Sequence, residues 1–197
     1  MNKNLFPNIQ FSEKWQPAKE KKLSQKGVVF WFTGLSGAGK STLAEYAADE
    51  LLQRGYFVEL LDGDNIRSGL CKDLGFSLDD RKENIRRVAE LAKLLKSNGI
   101  IVITAFISPT QAIRAMAKEI VGARDFKEVY INTSIESCEK RDVKGLYARA
   151  RKGVIENFTG VQSPYEAPDN PDIEIKNDKD GLAKTRTLLL SAILKEL

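Results

Sequence analysis

Val28-Val-Phe-Trp-Phe-Thr-Gly34-Leu-Ser-Gly-Ala-Gly39-Lys40-Ser41-Thr42 is the stretch around which the rest of the chain is organised. Val28 to Phe32 are apolar without alternation, which predicts a strand buried on both faces of a parallel sheet. Gly34 to Ser41 then fits G-x-x-x-x-G-K-[ST] with no mismatch. Beyond it Leu43, Ala44, Ala47, Ala48, Leu51 and Leu52 recur at helical spacing and predict a helix from Ser41 to Gln53. Strand, glycine loop and helix in that order are the context of a phosphate-binding loop. Gly34, Gly37 and Gly39 allow the tight turn that aims several N–H groups at one anion, and the helix dipole points to the same place. Lys40 is placed for the β- and γ-phosphates, and Ser41 for Mg²⁺. The candidate nucleoside triphosphate cradle is therefore Gly34, Leu35, Ser36, Gly37, Ala38, Gly39, Lys40, Ser41 and Thr42.

The chain has 197 residues, a length that suits one domain with a substantial core. Its net charge of +4 could suit nucleic acid, but basic and acidic residues are interleaved and no strand carries an aromatic RNA-binding pattern. A polyphosphate-binding enzyme is expected instead, with no nucleic-acid partner. No apolar run is long enough for a membrane span, and the N-terminal stretch lacks the apolar region of a signal peptide. With two cysteines, Cys71 and Cys138, far apart and in no metal-binding spacing, a cytoplasmic location is expected. There is no histidine, so acid–base work falls to carboxylates, Lys, Tyr or water.

Residues 1–26 read as a polar arm carrying Leu5, Phe6, Ile9, Phe11 and Trp15, expected to settle on the domain or on a partner subunit. Residues 27–197 read as the domain. Tyr56 to Leu61 predicts a second strand running into Asp62-Gly63-Asp64-Asn65-Ile66-Arg67, a turn-forming stretch at the crevice end of a parallel sheet. Ser77 to Asp80 reads as a capping region for a helix from about Arg81 to Ser97. Arg81 and Asn84 share a face off its apolar stripe, and a basic residue in a first turn opposes the helix dipole, which suggests an anionic ligand. Ile100 to Phe106 predicts a third strand, leading to Ile107-Ser108-Pro109, where Ser108 could cap the next helix. Val129 to Ile131 predicts the fourth strand, Ser134 to Lys140 a short helix, and Ile173 to Lys176 the fifth strand. A closing helix is expected over Gly181 to Leu197. Between the last two strands, Arg141 to Phe158 is basic and weakly periodic; its Lys144, Arg149 and Arg151 suit a lid over transferring phosphate.

Six stretches in order, GLSGAGKST, LDGDNIR, DLGFSLDDRKENIRRVAE, ITAFISP, CEKRDVKGLYARARKG and FTGVQSPYEAP, resemble the adenylylsulfate kinase family over roughly Gly27 to Ile175. The resemblance implies phosphoryl transfer from MgATP to the 3′-hydroxyl of adenylyl sulfate, a step of sulfate activation, by a homodimer. It places Asp62 beside Mg²⁺ and the accepting hydroxyl, with Ser41 as the other metal residue and Asp64 in support. It implies acceptor contacts at Arg67, Phe76, Arg81, Asn84, Ile107, Ser108 and Phe158. Phe76 and Phe158 resemble an aromatic pair around adenine. Lys144, Gly145 and Leu146 fall on the lid, Arg149 is a candidate ATP contact there, and Ser108 matches a serine described in bacterial members as a phosphoserine intermediate. Thr110-Gln111 departs from the Tyr-Arg that many members carry after the proline, and the arm lacks their tryptophan-histidine element. Two other readings stay open: a kinase for another small anionic acceptor, and a nucleotide-binding module without turnover. The expected fold is a single α/β domain, a five-stranded parallel sheet with helices on both faces and a basic lid after the fourth strand.

Overall fold

The computed structural model describes residues 10–178 and 181–197, with side chains from residue 14 onward. Expectations for Leu5, Phe6, Ile9 and the side chain of Phe11 lie outside the described residues. Helix α1 (Gln10–Leu23) precedes strand β1 (Val28–Thr33), helix α2 (Lys40–Gln53), strand β2 (Val58–Asp62) and helices α3 (Gly63–Ser68) and α4 (Leu78–Lys96). Strand β3 (Ile101–Ala105), helix α5 (Gln111–Val121) and strand β4 (Phe126–Asn132) come next. Helices α6 (Ile135–Arg141) and α7 (Leu146–Arg151), strand β5 (Ile173–Lys176) and helix α8 (Leu182–Lys195) complete the order.

The sheet order is β2-β3-β1-β4-β5, all parallel. β1 lies at the centre, with Phe32 opposite Ala105 on one side and Val129 on the other. The five residues of its apolar run are buried, as that run requires, and so is the polar Thr33 after them. Alternate side chains feed two cores: Phe30 and Phe32 meet α2 and α8 through Leu43, Ala47, Leu51, Leu189 and Ile193. Val29 and Trp31 meet α4 and α5 through Ile85, Val88, Ala89, Ile113 and Ala117. Each fully buried large apolar side chain here contributes about 1.5–3 kcal/mol. The strands flanking β1 are reached by connections on opposite sides, so a crevice opens at its carboxyl end.

Several boundaries move. β2 starts at Val58 rather than Tyr56 and carries Asp62 as its last rung, opposite Ala105. The stretch read as a turn after it is the short helix α3, because the Asp62 side chain accepts the N–H of Asp64 and caps it. β4 extends back to Phe126, which is buried opposite Val29. Ser77 does cap α4, its hydroxyl accepting from Asp80 N–H at 3.1 Å. Thr110, not Ser108, caps α5. In the lid segment, Asp142 accepts the N–H groups of Tyr147 and Ala148 and so starts α7.

The described part of the arm is helical and reaches the amino ends of the strands. Gln25 pairs with both backbone groups of Phe57, donating to its carbonyl (2.9 Å) and accepting its N–H (2.7 Å), and donates again to Gly99 O (2.7 Å). Lys19 donates to Asn98 at 2.6 Å.

Candidate active site

The glycine loop stands at the carboxyl end of β1, and neighbouring elements explain its glycines. A Cβ on Gly34 (φ +149°) would lie 2.7 Å from Ile131 O, and one on Gly39 (φ +99°) 2.7 Å from the Asn177 amide nitrogen. The Ala38 carbonyl is held from outside by Thr133 (3.0 Å), Asn177 (2.8 Å) and Arg141 (3.4 Å). Tyr147 of α7 donates to Ser36 O at 2.9 Å. Loop carbonyls are thus drawn to the framework, which is the condition for its N–H groups to face inward. Gly34, Leu35, Ser36, Gly37, Ala38, Gly39, Lys40 and Ser41 are brought together here; Thr42 follows on α2, exposed.

Lys40 is 8% exposed, and its Nζ donates to Gly34 O (2.9 Å) and Leu35 O (2.8 Å). Burial pushes its ammonium down to about 8. Ser41 Oγ donates to Asp62 Oδ2 at 2.7 Å, which joins the glycine loop to the end of β2. Asp62 Oδ1 accepts Asp64 N–H at 3.0 Å, so the capping bond fixes the carboxyl group. Asp64 pairs with Lys144, and that partner holds the Lys144 ammonium above its usual value. The lid residue Lys144 therefore reaches Asp64 just past the end of β2, and Gly145, with a left-handed φ of +63°, starts α7 ahead of the half-buried Leu146. Arg149 is exposed and forms no ion pair among the described residues, while Arg151 pairs with Glu139 of α6.

Arg67 and Arg81 converge on Phe76, their guanidinium carbons 4.5 Å and 5.7 Å from its ring centre. Burial lowers both guanidiniums from their usual value, and two cations on an exposed ring suit an anionic aromatic ligand. Arg81 also bridges from Phe76 O (3.0 Å) to Asn157 O (3.1 Å), bringing the segments of Phe76 and Phe158 within one arginine's span. Phe158 is buried edge-on against Tyr147, ring centres 5.0 Å apart, while Phe76 is 60% exposed. Asn84 is expected off the apolar stripe of α4 but is 2% exposed beside Ile85, and its Oδ1 has no hydrogen-bond partner among the described residues. Leaving such an atom unpaired costs about 1–3 kcal/mol.

Ser108 is 2% exposed, sits at φ +45°, and accepts from the Trp31 indole N–H at 3.0 Å. Ile107 O accepts from Thr33 Oγ1 at 2.7 Å, and Tyr165 OH lies 3.0 Å from the same threonine oxygen. Where the Tyr-Arg pair is missing, Thr110 caps α5 and Gln111 ties to Glu166 and Asp169.

Sequence reasoning missed Thr133, Asn177 and Arg114, because nothing local marks them. Asn177 reaches Gly39 only because β5 lies two strands from β1. No cluster of three or more His, Cys, Asp or Glu side chains able to hold a metal occurs among the described residues. The adjacent oxygens of Ser41 and Asp62 instead fit a hard cation that takes its remaining ligands from phosphates and water.

Residues 26–176 match the family model described as adenylylsulphate kinase. The adenylyl-sulfate kinase of Phocaeicola vulgatus is 53% identical over 176 residues, which cover 89% of this chain and 86% of that protein. Among solved structures, the Mycobacterium tuberculosis APS kinase CysC in complex with AMPPNP and APS aligns with a TM-score of 0.81 and 43% identity, over 86% of this chain and 99% of that one. A hexameric APS kinase from Thiobacillus denitrificans aligns at 0.65 and 31% identity, over 98% of this chain and 32% of that one.

Proposed function

The chain belongs to the adenylylsulphate kinase family, and we infer from this premise that it phosphorylates adenylyl sulfate at the expense of ATP. The observation that carries the reading is the family match itself, which spans residues 26–176 and therefore nearly the whole crevice. The γ-phosphoryl group passes from ATP to the 3′-hydroxyl: the bond from phosphorus to the β–γ bridging oxygen breaks, the bond to the 3′-oxygen forms, and ADP leaves. Asp62, fixed by its cap on α3, orients that hydroxyl and takes its proton. Lys40 neutralises charge gathering on the leaving oxygens, the main tool of this reaction class. Ser41 and Asp62 are the residues that would hold Mg²⁺, which would supply neutralisation of phosphate charge when bound.

Arg67 and Arg81 pair with the phosphosulfate, Asn84 offers its unpartnered oxygen, and Phe76 stacks on the base with Phe158 behind it. Ile107 and Ser108 line the acceptor side, with Asp64 in support. Lys144, Gly145, Leu146 and Arg149 belong to the lid. Ser108 serves by position rather than as a phosphoryl carrier in this reading. A phosphate there would bring close to two negative charges into a site that is 2% exposed. Residues 1–26 are the arm and 27–197 the kinase domain. The chain works as a homodimer in the cytoplasm; sedimentation at working concentration tests the first point.

The deciding assay is ADP release from MgATP with adenylyl sulfate, run beside AMP, shikimate and gluconate, with the product identified by mass. Turnover with adenylyl sulfate alone, giving a product one phosphate heavier, is expected. Turnover with another acceptor would keep the glycine-loop chemistry and discard the acceptor residues.

A further inference from the structure

The loop after β3 is bound to the framework at three successive carbonyls. Ile107 O accepts from Thr33 (2.7 Å), Ser108 O from Arg114 Nη1 (2.9 Å), and Pro109 O from Glu166 N–H (2.8 Å). The middle one matters most, because Ser108 is a non-glycine residue at φ +45°, a conformation that costs about 1–3 kcal/mol unless its surroundings impose it. Two groups impose it here: the Trp31 indole on the hydroxyl and Arg114 on the carbonyl.

Arg114 is itself an unusual choice. It lies on the inward face of α5, 3% exposed, with Nε donating to Glu128 Oε1 at 2.6 Å and its guanidinium 5.9 Å from the Tyr165 ring. A buried ion pair is costly to desolvate and does little for stability that apolar side chains could not do. What arginine supplies is a rigid fork with several donors at fixed angles, able to hold β4 with one arm and a strained carbonyl with another.

We propose that Arg114 is a positioning residue for the acceptor substrate, acting through the Ser108 carbonyl to keep Ile107 and Ser108 in the backbone shape that the acceptor meets. The proposal rests on the functional reading above. With this arm lost, Ser108 relaxes toward an ordinary φ, and the acceptor edge of the crevice changes while the glycine loop, on the other side of Thr33, does not.

The test is steady-state kinetics of Arg114→Lys, with adenylyl sulfate and ATP varied separately and unfolding midpoints measured alongside. Lysine keeps a cation for Glu128 but has one ammonium in place of the fork, so Ser108 O loses its donor. A roughly tenfold rise in KM for adenylyl sulfate is expected, with KM for ATP within about twofold, the size set by one charge-assisted hydrogen bond. In a Trp15→Phe background, where Trp31 is the only tryptophan left, its emission should move in the lysine variant as Ser108 leaves the indole. Should the lysine variant not fold, Glu128→Gln loosens the same fork more gently and should move the same constant by less. An unmoved KM for adenylyl sulfate overturns the proposal, and so does a parallel rise in both KM values, which would mean general loosening. Wild-type protein is the control: if it fails to turn over adenylyl sulfate, the functional reading falls and this inference with it. Normal wild-type turnover beside an unmoved variant removes the inference alone.

Discussion

Raising the pH from 7 to 9 should weaken triphosphate binding through a single side chain, Lys40. Its ammonium is buried and held by two carbonyls, with burial bringing it down to about 8. At pH 7 about nine in ten molecules then carry the charge, and at pH 9 about one in eleven. If only the charged form grips the β- and γ-phosphates, the apparent dissociation constant scales with the inverse of that fraction and rises about tenfold across the interval. The bound polyphosphate restores the charge, so binding above pH 8 takes up close to one proton. Calorimetry with a non-hydrolysable ATP analogue and Mg²⁺, in two buffers of different ionisation enthalpy, counts that proton directly. Lys40→Met should bind weakly at both pH values, with no such proton. The effect on stability has the opposite sense. Because the folded value lies below the unfolded one, the unfolded chain holds more protons between about pH 8 and 10.4, and Lys40 lets stability rise with pH in that window. Affinity that is flat from pH 7 to 9, or a profile that Lys40→Met shares, would refute the assignment.

Asp62→Asn should lower turnover by roughly 10²–10⁴-fold, while asparagine still caps α3 and leaves the unfolding midpoint nearly unchanged; rate and thermal melt together check this. Gly39→Ala meets both a positive φ and the Asn177 amide, and should cost about 1–3 kcal/mol in urea unfolding as well as nucleotide affinity. Phe76→Ala removes an exposed ring and should raise KM for adenylyl sulfate by an amount equivalent to about 1–3 kcal/mol, with KM for ATP unmoved. Lys144→Ala breaks an exposed ion pair, so its unfolding midpoint should stay put while saturation kinetics show weaker substrate binding.

The parts legible in the sequence were those whose cause is local. A strand of five apolar residues, a glycine loop and the Ser77 cap each announce themselves within a few positions. Helix α3 did not, because Gly63, Asp64 and Asn65 are turn formers and only the Asp62 cap closes them into a helix. Asn84 lies off the apolar stripe in the sequence pattern, and its burial depends on how α4 packs in the fold, not on its own type. Ser108 looked like a cap because serine before proline often is one, yet Thr110 lay closer to the helix and Trp31 needed an acceptor. Arg114 was silent for a similar reason: its partners are a glutamate fourteen residues on and the backbone carbonyl of the left-handed Ser108.

The Gln25 side chain ties the end of the arm to Phe57 and Gly99, just ahead of two parallel strands, with a peptide-like pair of bonds. Mechanically it is an anchor bolt at the pole of the sheet opposite the crevice. Tension applied to helix α1 would load the Lys19–Asn98 bond first and this amide next, before it reached β1 and the glycine loop beyond.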